Sequence, residues 1–246
     1  MASTVILLAA GNGQRMRGSV ADKALAMLAG KTALGHCVQA FLTAGISGPM
    51  VVVYRDISQL SALKHTVASV HPDSKQISWV QGGSERQQSV WQALQATPDD
   101  SEHVYIHDVA RPCIHPASLA ALQTAVERDG AAVLAHPVTD TVKRVPDPNQ
   151  LRSIQLEDLD RSRLWAMETP QAFDARKIRT AYQHVHEYGL KVTDDAAAAA
   201  TIGLKITLVP NPYPNPKLTT PCDVEYIEHI LKAINLPAAK RCSEPP

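Results

Sequence analysis

The chain has no excess of charge: its 24 Lys and Arg against 24 Asp and Glu leave a formal net charge of zero over 246 residues. A balanced chain exerts no global pull on nucleic acid or on an anionic membrane, so any cation that matters acts locally. Paired cysteines are missing too. Cys37, Cys113, Cys222 and Cys242 are scattered without a CxxC spacing. That excludes a cysteine zinc site and a disulfide framework and suits a reducing cytoplasm. No apolar run approaches the roughly 20 residues of a membrane span. The N-terminus runs at once into a predicted strand, which leaves no room for a signal peptide.

Several catalytic motifs are absent. None of the ten His residues forms HExxH, and His184 and His186, two apart, diverge on a helix. There is no G-x-S-x-G elbow. A dinucleotide fingerprint fails because Met16 holds the third Gly position and no acidic residue closes a second strand. That argues against a dinucleotide-dependent oxidoreductase. A P-loop fails because Leu25 stands where its first Gly belongs and no strand leads in. Gly30-Lys31-Thr32 reads instead as a turn opening a helix.

With 45% hydrophobic residues the chain can fill a sizeable core. Its length predicts one domain over residues 1–235, with a frayed tail at 236–246. Near-continuous apolar runs at Val5–Ala9, Met50–Tyr54, Ile77–Val80, Val104–Ile106, Ala131–Val138 and Ile206–Val209 read as strands buried on both faces. Helical patterns separate them at Ala33–Ala44, Ser58–Val70, Arg86–Ala96 and Ala117–Asp129. The last begins at Pro116 and stops at Gly130, both favoured positions. The succession predicts an α/β three-layer sandwich around a mostly parallel twisted sheet. Between Thr139 and Thr169 the rhythm breaks. Asp140–Val145, a Pro-Asp-Pro-Asn turn and Leu151–Leu156 read as a protruding β-hairpin arm at about 138–162. An isolated hairpin is marginal in water, so it is expected to pack on something, a second subunit or its own. Helices resume at Ala175–Tyr188 and Asp194–Ile202, and Cys222–Ile234 closes the fold. The four prolines of NPYPNPKLTTP force an extended loop.

The chemistry concentrates in loops that follow strands. Val5–Lys23 runs from a strand through Ala9, Ala10, Gly11 and Gly13 to Arg15, Arg17 and Lys23. Exposed N–H groups beside cations make a phosphate cradle, although a Gly-rich turn with solvated basic residues has the same composition. His107-Asp108-Val109-Ala110-Arg111-Pro112 places a carboxylate at a strand end, where it holds Mg²⁺ or pairs with Arg111. Gly82–Ser89, GGSERQQS, lets backbone approach a flat base, and Ser84 is placed to cap the next helix. Lys217, Arg161 and Arg163 are further cations near these loops.

The ordered motifs Val5–Lys23, GGSERQQS, HDVARP, PVTDTVKR, DRSRLW, ETPQAF, VTDDA and NPKLTTPCD resemble the 2-C-methyl-D-erythritol 4-phosphate cytidylyltransferase family from about Val5 to Leu231. The resemblance implies a Rossmann-like nucleotidyltransferase fold. It also implies a reaction of CTP with methylerythritol phosphate, releasing pyrophosphate, in the non-mevalonate isoprenoid pathway. It implies Mg²⁺, or Mn²⁺ or another divalent cation in its place, held by Asp108. It makes Ala9, Ala10, Gly11, Asn12, Gly13, Gly83, Ser84, Ser89 and Val109 the CTP residues. Arg15, Lys23, Arg161 and Lys217 become the catalytic cations. Thr141, with Arg161 and Lys217, would position methylerythritol phosphate, with Arg111 and Thr193 near it. It further implies a homodimer whose arm serves the partner's site, and no nucleic acid or membrane partner. The sequence departs from the family at Asp22-Lys23-Ala24, where Pro-Lys-Gln is usual, at Ser84, where an acidic residue is frequent, and at Gln14, where Arg is common. A ribitol 5-phosphate cytidylyltransferase and a non-catalytic nucleotide-binding regulator are the competing readings.

Overall fold

A computed structural model describes residues 2–11, 22–71 and 77–234. In chain order the elements are β1 (Ser3–Leu8), β2 (Met27–Leu28), β3 (Lys31–Thr32), α1 (Ala33–Thr43), β4 (Met50–Tyr54), α2 (Ile57–Val70), β5 (Ile77–Gln81), α3 (Arg86–Gln95), β6 (His103–Asp108), α4 (Pro116–Asp129), β7 (Ala131–Pro137), β8 (Lys143–Arg144), β9 (Glu157–Asp158), a 3₁₀ turn (Arg161–Arg163), β10 (Trp165–Asp174), α5 (Ala175–Glu187), α6 (Asp195–Ala200), β11 (Thr207–Pro210) and α7 (Asp223–Ile234). Seven strands form one sheet in the order β11-β7-β10-β6-β1-β4-β5. β1 runs parallel to β4 and β6, β4 to β5, and β7 to β11, while β10 alone is antiparallel to both neighbours.

Successive strand residues point to opposite faces, and here both faces are apolar. Val5, Leu7, Met50, Val52 and Tyr105 pack with α1, α2, α4 and α7. Ile6, Val51, Val53, Val104 and Ile106 pack with α3, α5 and α6. The three-layer sandwich expected from the continuous apolar runs is therefore present. Helix starts follow from capping side chains that accept orphan backbone N–H groups. Thr32 accepts from Gly35, Asp56 from Gln59, Asp174 from Lys177 and Asp194 from Ala197. Pro116 opens α4, and Gly130, at φ 78°, ends it in the left-handed conformation that glycine adopts without penalty. Of Gly30-Lys31-Thr32, read as a turn opening a helix, Gly30 lies in the turn between β2 and β3, while Lys31–Thr32 form β3, whose Thr32 caps α1.

Four expectations need correction. The returning strand of the arm is β9, not Leu151–Leu156. β8 pairs with Glu157 and Asp158, where Lys143 meets Asp158 and Arg144 meets Glu157, so opposite charges set the register. The helix expected over Asp194–Ile202 is shorter, because the chain turns after Ala200 into Gly203 at φ 73°. Ser84 does not cap α3. The cap residue is Glu85 without a side-chain bond, and Gln88 Oε1 reaches back to accept from Ser84 N–H at 2.9 Å. β10 carried no strand expectation at all. Its middle, Glu168-Thr169-Pro170-Gln171, is polar and contains proline, yet all four residues are buried, and the register shifts between Met167 and Gln171. The tail at 236–246 lies outside the described residues.

Candidate functional site

Parallel strands end on one edge of the sheet, and ligands of open α/β sheets bind beyond that edge. The register Leu8↔Asp108 sets the ends of β1 and β6 side by side, and Tyr54↔Gln81 brings the end of β5 to the same edge. A cleft of about 580 Å³ opens there. Ala10 and Gly11 form one wall, and Gly82, Gly83, Ser84 and Ser89 form another. The two walls approach because glycine stands at position 82. A Cβ there would lie 2.8 Å from both Ala10 Cβ and Ser89 Oγ.

Asp108 is the last residue of β6 and sits at the cleft floor. Its Oδ1 accepts from Arg86 Nε at 3.0 Å and its Oδ2 from Lys217 Nζ at 2.7 Å. It does not pair with Arg111, so the structural ion pair considered from sequence is absent. Burial alone raises the Asp108 carboxyl. Arg86 and then Lys217 outweigh it and hold the group well below the usual carboxylate range. Arg86 also clamps Asp195, with NH1 and NH2 at 3.0 and 2.7 Å from its two oxygens.

Behind Asp108, a hydrogen-bond chain fixes the loop. His107 is fully buried, and burial lowers its imidazole to about 3, so it is neutral. A neutral imidazole has one donor and one acceptor. Nε2–H donates to the Arg111 carbonyl at 3.0 Å. Nδ1 therefore accepts from Thr169 Oγ1 at 3.0 Å, and Thr169 Oγ1 accepts from Asp108 N–H at 3.1 Å. The proline that made β10 unrecognisable lies beside the residue that orients Asp108. The Pro-rich loop is tied in as well. Leu218 N–H donates to the Ala110 carbonyl at 2.7 Å, which carries Lys217 to the cleft.

Lys23 lines the cleft, and its Nζ donates to the carbonyls of Leu218 and Thr219 at 2.9 and 3.2 Å. Asp22, the departure beside it, is engaged elsewhere. It accepts from Gln59 Nε2 at 2.7 Å and faces Arg55 NH1 at 3.4 Å. Its charge is thus offset by Arg55 rather than by Lys23.

Of the residues singled out from sequence, Ala10, Gly11, Lys23, Gly83, Ser84, Ser89, Asp108 and Lys217 converge on this cleft. Asn12, Gly13 and Arg15 lie outside the described residues. Ala9 and Val109 are core residues, 5% and 1% exposed, whose side chains do not reach the cleft. Arg111 lies instead on a second cavity of about 410 Å³ with His136, Glu168 and Asn215, its NH1 donating to the Asn215 carbonyl at 2.7 Å. Thr141 and Thr193 are not among the residues that line the cleft. Arg161 is exposed at the base of the arm, donating to the Thr139 carbonyl. Sequence reasoning passed over Arg86 and Arg55. Both were findable as cations in the segments that follow strands, Arg55 directly after β4 and Arg86 at the start of α3 inside the GGSERQQS run.

Chemically, the cleft joins small-residue walls to Lys23, Arg55, Arg86 and Lys217, with Asp108 and Glu85 as its acids. Among the described residues no group of three or more His, Cys, Asp or Glu could hold a metal unaided. Among the described residues no cysteine lines the cleft, and burial pushes the Cys113 thiol up to about 12. The site is built to neutralise and align anions.

Comparison with known proteins finds relatives along nearly the whole chain. Residues 3–233 match the family model described as IspD, 2-C-methyl-D-erythritol 4-phosphate cytidylyltransferase. A protein of that name from Synechococcus sp. (strain CC9902) is 35% identical over 233 residues, covering 95% of this chain and 99% of its own. Another, from Halalkalibacterium halodurans, is 37% identical over 233 residues, covering 94% and 97%. The crystal structure of the Thermus thermophilus protein of the same name superposes with a TM-score of 0.75 at 26% identity, covering 94% of this chain and 100% of that one.

Proposed function

The chain belongs to the 2-C-methyl-D-erythritol 4-phosphate cytidylyltransferase family, and we propose that it transfers CMP from CTP to 2-C-methyl-D-erythritol 4-phosphate in isoprenoid biosynthesis. A phosphate oxygen of the alcohol phosphate attacks the α-phosphorus of CTP. The new P–O bond forms as the bond from the α-phosphorus to the bridging oxygen breaks, and pyrophosphate leaves with that electron pair. A phosphate monoester is largely dianionic at pH 7, with a second pKa near 6, so the nucleophile needs no general base. It needs instead charge neutralisation and alignment of two mutually repelling anions.

The observation that carries this reading is the cation set at the cleft. Lys23 and Lys217 flank the mouth that Ala10, Gly11, Gly82 and Gly83 line. We assign Ala10, Gly11, Gly83, Ser84 and Ser89 to CTP, and Lys23 with Arg15 to the charge that develops on the transferred phosphoryl group. Lys217 and Arg161 are assigned to the alcohol phosphate, with Thr141, Arg111 and Thr193. Asp108 suits Mg²⁺, which prefers one or two carboxylates and completes its shell with phosphates and water. Each Asp108 oxygen has one protein donor and a second lone pair to offer. When bound, the ion supplies Lewis-acid neutralisation of phosphate charge.

The arm supports a homodimer. Leu151 and Leu156 are 69% and 49% exposed on it, and Arg161 and Thr141 lie outside the cleft of their own chain. Both residues would serve the partner's site. No described helix is long and apolar enough to cross a membrane, and the scattered cysteines suit a cytoplasmic location.

Pyrophosphate release from CTP and Mg²⁺, with methylerythritol 4-phosphate and ribitol 5-phosphate tested side by side, decides the reaction. Release with the first alone is expected. Release with ribitol phosphate alone would overturn the acceptor, and CTP binding without turnover would favour a regulator. Lys217→Ala should impair acceptor use more than CTP binding. Verified heterodimers of Arg15→Ala and Arg161→Ala subunits should recover activity, and failure to do so would place each site within one chain.

A further inference from the structure

Asp195, an acidic side chain, is 0% exposed and lies outside the cleft, in the interior of the fold. Taking a carboxylate charge out of water costs several kcal/mol, and buried ion pairs seldom stabilise a fold more than apolar residues of the same size would. Its partners suggest a different purpose. Arg86 grips it through both terminal nitrogens, and Tyr182, from α5, donates its hydroxyl to Oδ1 at 2.6 Å. Tyr182 is itself 1% exposed. With NH1 and NH2 committed to Asp195, the guanidinium presents only Nε to Asp108, and only Oδ1 receives it, at 3.0 Å. Oδ2 is left to Lys217, whose side chain is 42% exposed at the cleft.

We propose that Asp195 is a positioning residue: by holding the fork of Arg86, it keeps Arg86 from chelating Asp108 and so reserves the second Asp108 oxygen for Lys217 at the cleft. Arginine favours bidentate pairing with one carboxylate. Without the Asp195 charge, Arg86 turns its fork onto Asp108, takes both oxygens and releases Lys217. Tyr182 reinforces the arrangement by fixing Asp195 from the other side. Asp195 touches no reacting atom, and the consequence for turnover rests on the cytidylyl-transfer reading.

The test uses the full chain with Asp195→Asn, and with Tyr182→Phe, which keeps the ring and removes only the hydroxyl. The first readout is independent of turnover. A brief pulse of an amine-acylating reagent, read by mass spectrometry, compares Lys217 with exposed Lys205. Lys217 held by Asp108 reacts slowly. Its relative labelling should rise several-fold in Asp195→Asn and less in Tyr182→Phe. The second readout is kinetic. In Asp195→Asn, kcat/KM for the acceptor should fall about 10–100-fold, the scale of a misplaced positioning group, with CTP affinity nearly constant. Because the effect passes through Lys217, adding Asp195→Asn to Lys217→Gln should cost little more than Lys217→Gln alone. Unchanged Lys217 labelling in a folded variant would overturn the proposal, as would full additivity with Lys217→Gln. If Asp195→Asn does not fold, Tyr182→Phe labelling decides alone. Increased labelling in a protein whose wild type shows no transfer would support the positioning and sink the reaction. Unchanged labelling beside active wild type would do the reverse.

Discussion

Asp108→Asn removes the charge that Arg86 and Lys217 share, and the structure sets the size of the effect. The Arg86 bond, at 3.0 Å to a side chain only 12% exposed, is a charged hydrogen bond worth about 1.5–3 kcal/mol. The Lys217 partner is 42% exposed, so screening limits its share to about 0.2–1 kcal/mol. Asparagine still offers Arg86 an acceptor, so the net loss at pH 7 should be about 1–3 kcal/mol. For a domain of this size that lowers the melting temperature by about 3–10 °C. The pH dependence is the sharper part. The folded carboxyl titrates well below its unfolded value of 3.8. A depressed carboxylate contributes stability that is full above the unfolded value and is lost as pH falls toward the folded one. The gap between wild type and Asp108→Asn, measured by urea unfolding, should therefore be flat from pH 7 to 5. By pH 3 it should be about 1 kcal/mol smaller. A gap near zero at pH 7, or one that does not narrow below 3.8, would refute the reasoning.

The buried chain behind Asp108 predicts that Thr169→Val, which unpairs His107 Nδ1 and Asp108 N–H, costs about 2–5 kcal/mol in urea unfolding. Thr169→Ser, which keeps the hydroxyl, should cost much less. His107 is lowered from 6.5 to about 3, so the unfolded chain binds more protons between these values. Wild-type stability should accordingly fall as pH drops from 6.5 toward 3, at up to about 1.4 kcal/mol per pH unit from this group. His107→Gln, with no imidazole to charge, should lack that contribution. Gly82→Ala would press a methyl to 2.8 Å from Ala10 and Ser89. It should destabilise by about 1–3 kcal/mol and weaken CTP binding in calorimetry. Unchanged affinity would detach that wall from the nucleotide.

The sheet was legible because its strands are continuous apolar runs. Val5 to Leu8 or Met50 to Val53 stays in the interior whichever face it turns, and the pattern needs no partner to be read. Some helix boundaries were legible for the same local reason. Pro116 and Gly130 mark the two ends of α4 through their own backbone geometry, whereas the cap of α3 and the end of α6 were misplaced. β10 was not legible. Glu168 is tolerable in the interior only because His136, Asn211 and Asn215 come to it from far along the chain. Thr169 is buried only because His107 and Asp108 await it. Burial of a polar side chain depends on partners that local pattern cannot name.

The site divides along the same line. Sequence alone determined the chemical inventory: small residues after β1, the paired glycines after β5, a carboxylate at the end of β6 and a cation on a proline-stiffened loop. Each is a local feature of a strand end. Tertiary structure alone decided how the carboxylate is shared. Arg86 stands 22 residues from Asp108 and Lys217 stands 109. Asp195 is 109 residues beyond Arg86, on the far side of the same guanidinium. Charges at those separations meet only after the sheet and its two helical layers have closed. The low-dielectric interior then makes their arrangement a choice with energetic consequences.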